Sequence, residues 1–504
     1  MNCGGCGPAV FQGRPLLRGS AADVRRAQED KVMSEVSTEE RLTVGVRTLR
    51  GDPKRAVWKL SLPMVVANVV QALYNLVDGV WVAGLGSDAL AALGLFFPFF
   101  MIVLSLAGGI AIGGSSALSR RIGARDKPGA DSAASQSLAI GLGLALVLTA
   151  VSFPLLPHIF RAIGAKGSAL ELTLKYGRVL IGGTVLLVFS NIAGGILRGE
   201  GDAGRAMRAM VLGSLLNVGL DPVFIYGFGW GVAGAAWATL LSIAVSGGLM
   251  AWWILIRPST YVEARLRRFR FDPGITAEIL RVGLPASFAQ LSMALAMFGM
   301  NAIVVKAGGT DGVAVFVAAW RIVTFGLVPL FGIAAGVTAV TAAAYGARDP
   351  GRLRAGYSYG IRLGLLMEAA VLLCILLFAP RLAYLFTYSK QSAHLAPDVT
   401  RAMRTLAWFL PTVPLGMVTS SMFQGVGKGM NSMAVTILRT LVFQVVFGYL
   451  FGLTLGLGIR GVWWGIVCGN VLAALISAGW GIDTIRRLEQ RFSQLAEAEG
   501  VAGS

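Results

Sequence analysis

Charged residues are scarce in this chain of 504 residues. Lys, Arg, Asp and Glu make up 14% of it, whereas soluble globular proteins average roughly 25%. Apolar residues account for 55%. This composition excludes an ordinary soluble globular protein and indicates an integral membrane protein.

Histidine and cysteine are also rare. With two histidines and four cysteines, the chain lacks the ligands of a haem or metal enzyme, and no Ser, His or Cys motif for catalysis is present. Cys3 and Cys6 form a single CxxC without a second pair, which is a weak signal for a redox or zinc site. We therefore expect no enzyme activity and no cofactor.

Long windows without charge predict the membrane spans, because a helix needs about 20 apolar residues to cross about 30 Å of hydrocarbon. Such windows, together with the segments near 57–84 and 357–380, predict about twelve helices. The windows lie at 88–120, 131–161, 178–198, 221–257, 281–306, 321–348, 404–428, 439–460 and 460–483. The window at 221–257 is long enough for the end of one helix, the turn YGFGWG and another complete helix.

The chain repeats itself at an offset of about 222 to 227 residues. IGARDKPGA around Gly123 recurs as YGARDPGRL around Gly346, and RGEG at 198–201 recurs as QGVG at 424–427. Because this offset spans six helices, an even number, the halves should have the same topology and be related by an axis along the membrane normal. The fold class is therefore all-α integral membrane, with twelve helices in two six-helix lobes.

The predicted domains follow from this repeat. Residues 1–54 are polar and rich in Gly and Arg, which predicts a disordered cytoplasmic tail. Met33 as the true start is a hypothesis that mass spectrometry of the N-terminus tests. The remaining domains are an N-lobe at 55–258, a cytoplasmic linker at 259–276, a C-lobe at 277–485 and a cytoplasmic tail at 486–504.

Basic residues predict the orientation. The loops at 119–131, 257–281 and 348–354 are basic, whereas the turns near 84–88, 226–231 and 307–312 are nearly free of Lys and Arg. The positive-inside rule then places both termini of this multi-pass protein in the cytoplasm. The loop at 381–404 is an exception, since it is basic and predicted external.

The net charge of +18 is spread over short loops, so anionic lipids explain it better than nucleic acid does.

Two acids, Asp78 and Asp221, lie inside predicted spans. A charge at the bilayer centre costs at least about 2.5 to 3.5 kcal/mol, so such residues usually face a cavity on an ion or substrate pathway. Asn217 shares a helix face with Asp221, and Pro222 bends the helix beside the carboxylate. Their hard oxygen atoms suit a proton or Na⁺.

Simpler interpretations of these residues stay open. Asn217 and Thr239 could serve helix packing alone. Asp221 could be helix-terminal, and Asp78 could reach the outer membrane surface.

The C-terminal half lacks the pair of acids. The repeat offset aligns uncharged residues with the four polar positions: Gln444 with Asn217, Gly448 with Asp221, Ile466 with Thr239, and Met300 or Asn301 with Asp78. Glu368, near Arg362, is the embedded acid of this half. For Glu368 the alternatives are an ion pair with a basic neighbour and a role in transport.

Six segments of the chain are informative together: LPMVVANVVQALYNLVDGVWVAGLG, ALSRRIGARDK, GGILRGEGD, LLNVGLDPVFIYGFGWGVAGAAWATLLS, GLPASFAQ and AYGARD. They resemble the multidrug and toxic compound extrusion (MATE) family, in particular its DinF-like branch. The resemblance covers about residues 55 to 485. It implies a V-shaped cavity between two lobes and efflux of amphiphilic, often cationic compounds from the cell, coupled to inward H⁺ or Na⁺ flow.

The resemblance also implies roles for individual residues. The cation network, which is also the candidate Na⁺ site, falls on Asp78, Asn217, Asp221 and Thr239. The first helix bends at Pro63 as protonation changes, and Pro222 marks a second bend. Cavity-lining residues are expected at Gln71, Tyr74 and Asn191. The expected partners are small amphiphiles, the coupling ion and membrane lipids, with the protein acting as a monomer.

One feature of the sequence limits the resemblance. The NorM-like branch carries acids in helices seven and ten, whereas LPASFAQLSMALAMFGM and WFLPTVPLGMVTSSMF here contain none.

The alternative function is a flippase of lipid-linked oligosaccharides, which would favour cationic residues facing the cleft, with Arg321 and Arg439 as candidates.

Overall fold

A computed structural model describes residues 42–256, 259–264, 269–388 and 392–502, with side chains up to residue 498. In these ranges the regular structure is entirely helical. Most of the predicted N-terminal tail, including Cys3, Cys6 and Met33, lies outside the described residues. The end of that tail contains a short helix, Val44–Arg50, so the prediction of disorder up to residue 54 is wrong there.

Six spans form the N-terminal half. They are span 1, Pro53–Ala83; span 2, Ser87–Gly123; span 3, Lys127–Ala162; span 4, the pair Gly167–Gly182 and Thr184–Gly199, bent by 51°; span 5, Ala203–Gly227; and span 6, Gly231–Ile256. Each of these windows is apolar enough to cross a membrane. The predicted turn between spans 5 and 6 is confirmed, with Gly229 and Gly231 at φ 68° and 55°.

The C-terminal half begins with one helical run of 74 residues, Pro273–Gly346. At 1.5 Å per residue this run would be about 110 Å long, several times the thickness of a bilayer. Gly309, with φ 62° and ψ −157°, is not helical and divides the run. We therefore count span 7 at 273–308 and span 8 at 310–346, where a second break separates helix Pro273–Gly326 from helix Val328–Gly346.

Four more spans complete this half. They are span 9, Pro350–Thr387; span 10, Ala393–Gly425; span 11, Gly429–Thr454; and span 12, Gly458–Ala498. Ten helical runs pass as spans by length and composition, the bent pair makes eleven, and the break at Gly309 gives the predicted twelve. The last helix continues to Ala502, so the predicted tail at 486–504 is helical as far as the described residues reach.

The two halves repeat local backbone details. Arg125 and Arg348 both adopt the left-handed conformation, at φ 61° and 53°, which is uncommon for residues other than glycine. The next residue in each half, Asp126 or Asp349, caps the following helix by accepting a hydrogen bond from a backbone N–H. The sequence repeat therefore corresponds to a structural repeat.

The lobes pack together at the side of the basic loops. Spans 2 and 8 cross at Gly123 and Gly346, where a Cβ on either glycine would overlap a carbonyl oxygen of the opposite helix. Beside this crossing, Nε of the buried Arg120 and Nη2 of Arg121 each lie 2.9 Å from a carboxylate oxygen of Glu278 on span 7. Close backbone approach and a shared carboxylate thus join the two lobes at this end.

Candidate functional site

Span 5 changes its helical form at the embedded acid. The α-helix ends at Pro222, and a π-helix continues from Val223 to Gly227. Proline cannot donate a backbone hydrogen bond, so it breaks the regular pattern at this point, and π-helical turns are frequent at functional sites. Asp221 is fully buried immediately before the change, and Asn217, one turn earlier, is 2% exposed. Both side chains therefore point into the protein.

Asn217 connects spans 5 and 6. Its Nδ2 lies 3.4 Å from Oδ1 of Asp221 and 3.3 Å from Oγ1 of Thr239. With its amide turned over, Asn217 donates to Oδ2 of Asp221 at 3.1 Å and accepts from the backbone N–H of Thr239 at 3.2 Å. In both orientations the amide binds the carboxyl of Asp221 and residue 239 at once.

Asp78 approaches this network from span 1. It is half-buried, and its carboxyl lies within hydrogen-bonding reach of the carboxyl of Asp221. A hydrogen bond between two carboxyl groups requires a proton on one of them, since two carboxylates only accept. Among the described residues neither acid forms a salt bridge. The structure thus brings Asp78, Asn217, Asp221 and Thr239 into one network.

Two of the predicted cavity residues lie near this network, and one does not join it. Tyr74, one turn before Asp78, lies close enough to both acids and to the side chain of Gln71 for electrostatic interaction. Oε1 of Gln71 in turn lies 3.5 Å from the hydroxyl of Ser214. Asn191 on span 4 is half-buried, and its Nδ2 donates to the carbonyl of Leu187 in its own helix at 3.0 Å.

Tyr176 is a residue that sequence reasoning missed. It lies on span 4, close enough to Tyr74 and to both acids for electrostatic interaction, and it packs edge-on against Phe96 with ring centroids 5.3 Å apart. Nothing in its sequence context, between Lys175 and Arg178, marks it as part of a site. Its position depends on how span 4 packs against span 2.

Pro63 lies inside span 1, which is a continuous helix from Pro53 to Ala83 in this conformation. As a proline within a helix it leaves the carbonyl of Lys59 without its usual donor, so this point resists bending less than its surroundings. The bend at Pro63 on protonation stays a prediction.

The corresponding region of the C-lobe is polar but uncharged. Nε2 of Gln444 on span 11 donates to Oδ1 of Asn470 on span 12 at 3.2 Å, and Nδ2 of Asn470 donates to the hydroxyl of Thr412. The position that matches Asp221 is Gly448, which is buried. This network can join helices, but it offers no titratable group.

Glu368 does not form the ion pair that its sequence neighbourhood suggested. Its side chain is fully buried, and neither carboxyl oxygen has a hydrogen-bond partner among the residues that the structure describes. Arg362 is exposed, one and a half turns away on the same helix. The ion-pair interpretation is therefore wrong for Arg362. In contrast to Asp221, Glu368 forms no hydrogen bond to an amide or hydroxyl of the described residues.

An all-helical, multi-pass membrane protein with two repeated lobes and an acid network inside one of them has the architecture of a secondary transporter. The MatE family model matches residues 63–223 and 285–450, more than half of the chain, and the two matches are separated by the offset of the internal repeat. The chain belongs to the MATE family of multidrug transporters.

Individual relatives agree with this assignment. The multidrug export protein MepA of Staphylococcus aureus is 24% identical over 427 residues, 84% of this chain and 92% of that protein. A solved structure described as the outward-facing conformation of a multidrug resistance MATE family transporter of the MOP superfamily is 52% identical, with a TM-score of 0.87, covering 89% of this chain and 100% of that one.

A third similar protein is a MOP superfamily transporter from Pyrococcus furiosus. It is 52% identical, with a TM-score of 0.86, covering 89% of this chain and 99% of that one. The description of that structure says that reverse polarity of the binding pocket suggests a different function for that transporter.

Proposed function

We propose that this protein is an antiporter that exports amphiphilic, often cationic compounds across the cell membrane in exchange for H⁺ or Na⁺, by alternating access. Both termini lie in the cytoplasm in this proposal, as the basic loops predict. The site lies within one lobe of one chain, so a monomer suffices for the exchange.

The observation that carries the proposal is the carboxyl pair. The half-buried Asp78 and the buried Asp221 lie within hydrogen-bonding reach of each other, without a basic partner among the described residues. Two adjacent carboxylates repel each other, so a proton or a metal cation between them is favoured. The pair therefore provides a site whose charge changes when the coupling ion binds or leaves.

This change of charge links the ion to the substrate. With the ion absent, the lobe carries negative charge that attracts a cationic substrate. Binding of the ion removes that charge, so the substrate binds less tightly while the cleft is open to the outside. A ligand shifts a conformational equilibrium only through different affinities for the two states, and loss of charge at Asp221 provides such a difference.

Sodium is the alternative to the proton. The network offers carboxylate, amide and hydroxyl oxygens, from Asp78, Asp221, Asn217 and Thr239, which are hard ligands of the kind that such a cation prefers. The same residues would hold either ion, so both belong in the test.

Export of drugs is better supported than lipid-linked oligosaccharide flipping. MepA is named a multidrug exporter, and an acid pair suits cationic partners better than pyrophosphate. The statement about the Pyrococcus furiosus pocket concerns that protein and is the reason to test anionic substrates here as well. Of the two arginines that suggested flipping, Arg439 is buried in the C-lobe, away from the acid pair.

The test uses purified protein in liposomes with a fluorescent cationic dye. A pH gradient and a Na⁺ gradient are imposed separately, and dye movement is followed for the wild-type protein and for Asp221→Asn. We expect one gradient to drive dye movement in the wild type only. Dye movement that persists when both gradients are collapsed, or in the variant, contradicts the antiport mechanism.

A further inference from the structure

A cavity of about 190 Å³ lies at the beginning of span 1, on the side of the basic loops. It is lined by three cationic and two aromatic side chains: Lys54, Arg55, Lys59, Trp58 and Tyr359. The first four share one face of span 1, because residues 54 and 58, like 55 and 59, are one helical turn apart. Tyr359 comes from span 9, in the other lobe.

The three cations lie where the helix itself disfavours them. Lys54 and Arg55 are in the first turn of span 1, which contains no acidic residue, next to the positive end of the helix dipole. Arg55 and Lys59 are like charges four residues apart, an arrangement that is also unfavourable. An anion in the cavity would relieve both repulsions.

Nearby protein groups offset only part of this charge. Asp52, the N-cap of the helix, lies 3.9 Å from Arg55 and accepts a hydrogen bond from the backbone N–H of Lys54 at 3.1 Å. Within the described ranges, Lys54 and Lys59 have no ion-pair partner. The cavity therefore keeps a net positive charge.

The location favours a lipid as the source of the anion. Span 1 enters the bilayer at this point, and Trp58, 45% exposed, and the half-buried Tyr359 are residues typical of the headgroup level. Clusters of Lys and Arg at this level attract anionic lipids.

The cavity also lies at a junction of the two lobes. Nη2 of Arg352 on span 9 donates to the carbonyls of Leu49 and Gly51, just before span 1, at 2.7 and 2.9 Å. These bonds hold the beginning of span 1 against span 9. A headgroup in the cavity would contact residues of both lobes.

We propose that this cavity binds the phosphate headgroup of an anionic phospholipid at the junction of spans 1 and 9. The site is distinct from the acid network and needs no assumption about the coupling ion or the exported compound. Its phosphate would interact with Lys54, Arg55 and Lys59, and its glycerol and chains would lie against Trp58 and Tyr359.

Native mass spectrometry of the full chain tests the proposal. The protein is titrated with phosphatidylglycerol and phosphatidylcholine, and bound lipids are counted for the wild type and for the triple variant Lys54→Gln, Arg55→Gln, Lys59→Gln. The matched control is Arg486→Gln, Arg487→Gln, Arg491→Gln, which removes the same charge from exposed residues of the last helix. The single variants Lys54→Gln and Lys59→Gln replace the triple variant if it does not fold.

We expect the wild type to prefer phosphatidylglycerol and the triple variant to lose at least about tenfold in affinity for it, since each cation near an anionic surface contributes roughly fivefold. The control should keep wild-type affinity. Equal losses in both triple variants would mean diffuse attraction without a site. Displacement of the lipid by millimolar inorganic phosphate would assign the cavity to soluble anions, and either result overturns the proposal.

Discussion

The N-lobe and the C-lobe share a backbone plan but differ in what lies between their last two helices. Between spans 5 and 6, a buried carboxyl, an amide and a hydroxyl meet a second carboxyl from span 1. Between spans 11 and 12, two amides form a neutral network with a hydroxyl from span 10. Both lobes thus have a polar network at this place. Of these two networks, only the one in the N-lobe contains a group that can bind and release a cation.

A second difference lies at the ends of spans 4 and 10. The loops there have the same backbone, with Gly201 and Gly427 at φ 87° and 79°. The residue before each glycine is Glu200 in the N-lobe and Val426 in the C-lobe, and both are buried. Oε2 of Glu200 accepts a hydrogen bond from the backbone N–H of Val262, in the segment that follows span 6. The N-lobe thus places another acid at a position that is apolar in its counterpart.

The largest contrast is expected between Asp221→Asn and Glu368→Gln. The first should abolish drug resistance, because it removes the charge that changes when the ion binds. The second should retain most of it, because Glu368 lies outside the network and has no hydrogen-bond partner in the described ranges. Growth in the presence of a toxic cationic dye, at matched membrane expression, measures both. Equal losses would remove the functional contrast between the lobes.

The next effect concerns the coupling between the two acids. If Asp78 and Asp221 share one ion, Asp78→Asn should cost little further transport once Asp221→Asn is present. Each single variant should lose most of the activity, so the double-mutant cycle should be strongly non-additive. Initial rates of dye transport in liposomes provide the four values. Additive losses would indicate two separate structural acids.

A smaller effect should separate Asn217 from Gln444, its counterpart by the repeat. Gln444→Ala leaves the buried Oδ1 of Asn470 without its donor, which should cost about 1–3 kcal/mol of stability. Transport per folded molecule should stay near the wild-type value. Asn217→Ala should instead mainly reduce transport, because it removes the donor to Asp221. Thermal denaturation and transport assays on both variants test this, and a reversed pattern contradicts it.

The last effect is a dependence of stability on pH that arises at Glu200. Burial raises the pKa of Glu200 from its ordinary value of 4.5 to about 8, with the nearby Asp202 adding to the increase. Its contribution to stability is therefore complete below about pH 4.5 and falls, by about 1.4 kcal/mol for each pH unit, until the pH reaches about 8.

Glu200→Gln should remove this part of the pH dependence. The thermal midpoint of the wild type should fall faster than that of the variant as the pH is raised between these limits. Val426→Ala, at the matching C-lobe position, should lower the midpoint without changing its slope with pH. Parallel slopes for the wild type and Glu200→Gln would show that the carboxyl does not titrate in this range.

Several features of the fold were predictable because they depend on patterns along the chain. The spans follow from charge-free windows, and the repeat follows from motifs such as IGARD and YGARD, which the structure confirms as matching turns. The helix Val44–Arg50 was missed because it lies in a polar segment without long apolar runs. The extension of span 12 to Ala502 was missed because charged residues ended the apolar window.

The sequence by itself determined the membrane class, the twelve helices and the two lobes, and it singled out the two embedded acids. It could do so because burying an acid in a membrane is costly enough to make Asp78 and Asp221 conspicuous. Only the tertiary structure decided that these acids, 143 positions apart in the chain, lie within reach of each other and of Tyr176, whereas Asn191 does not join them. It also decided that Glu368 has no hydrogen-bond partner within the described part of the chain. Such distances depend on how separate helices pack and rotate against one another, which no local pattern of residues specifies.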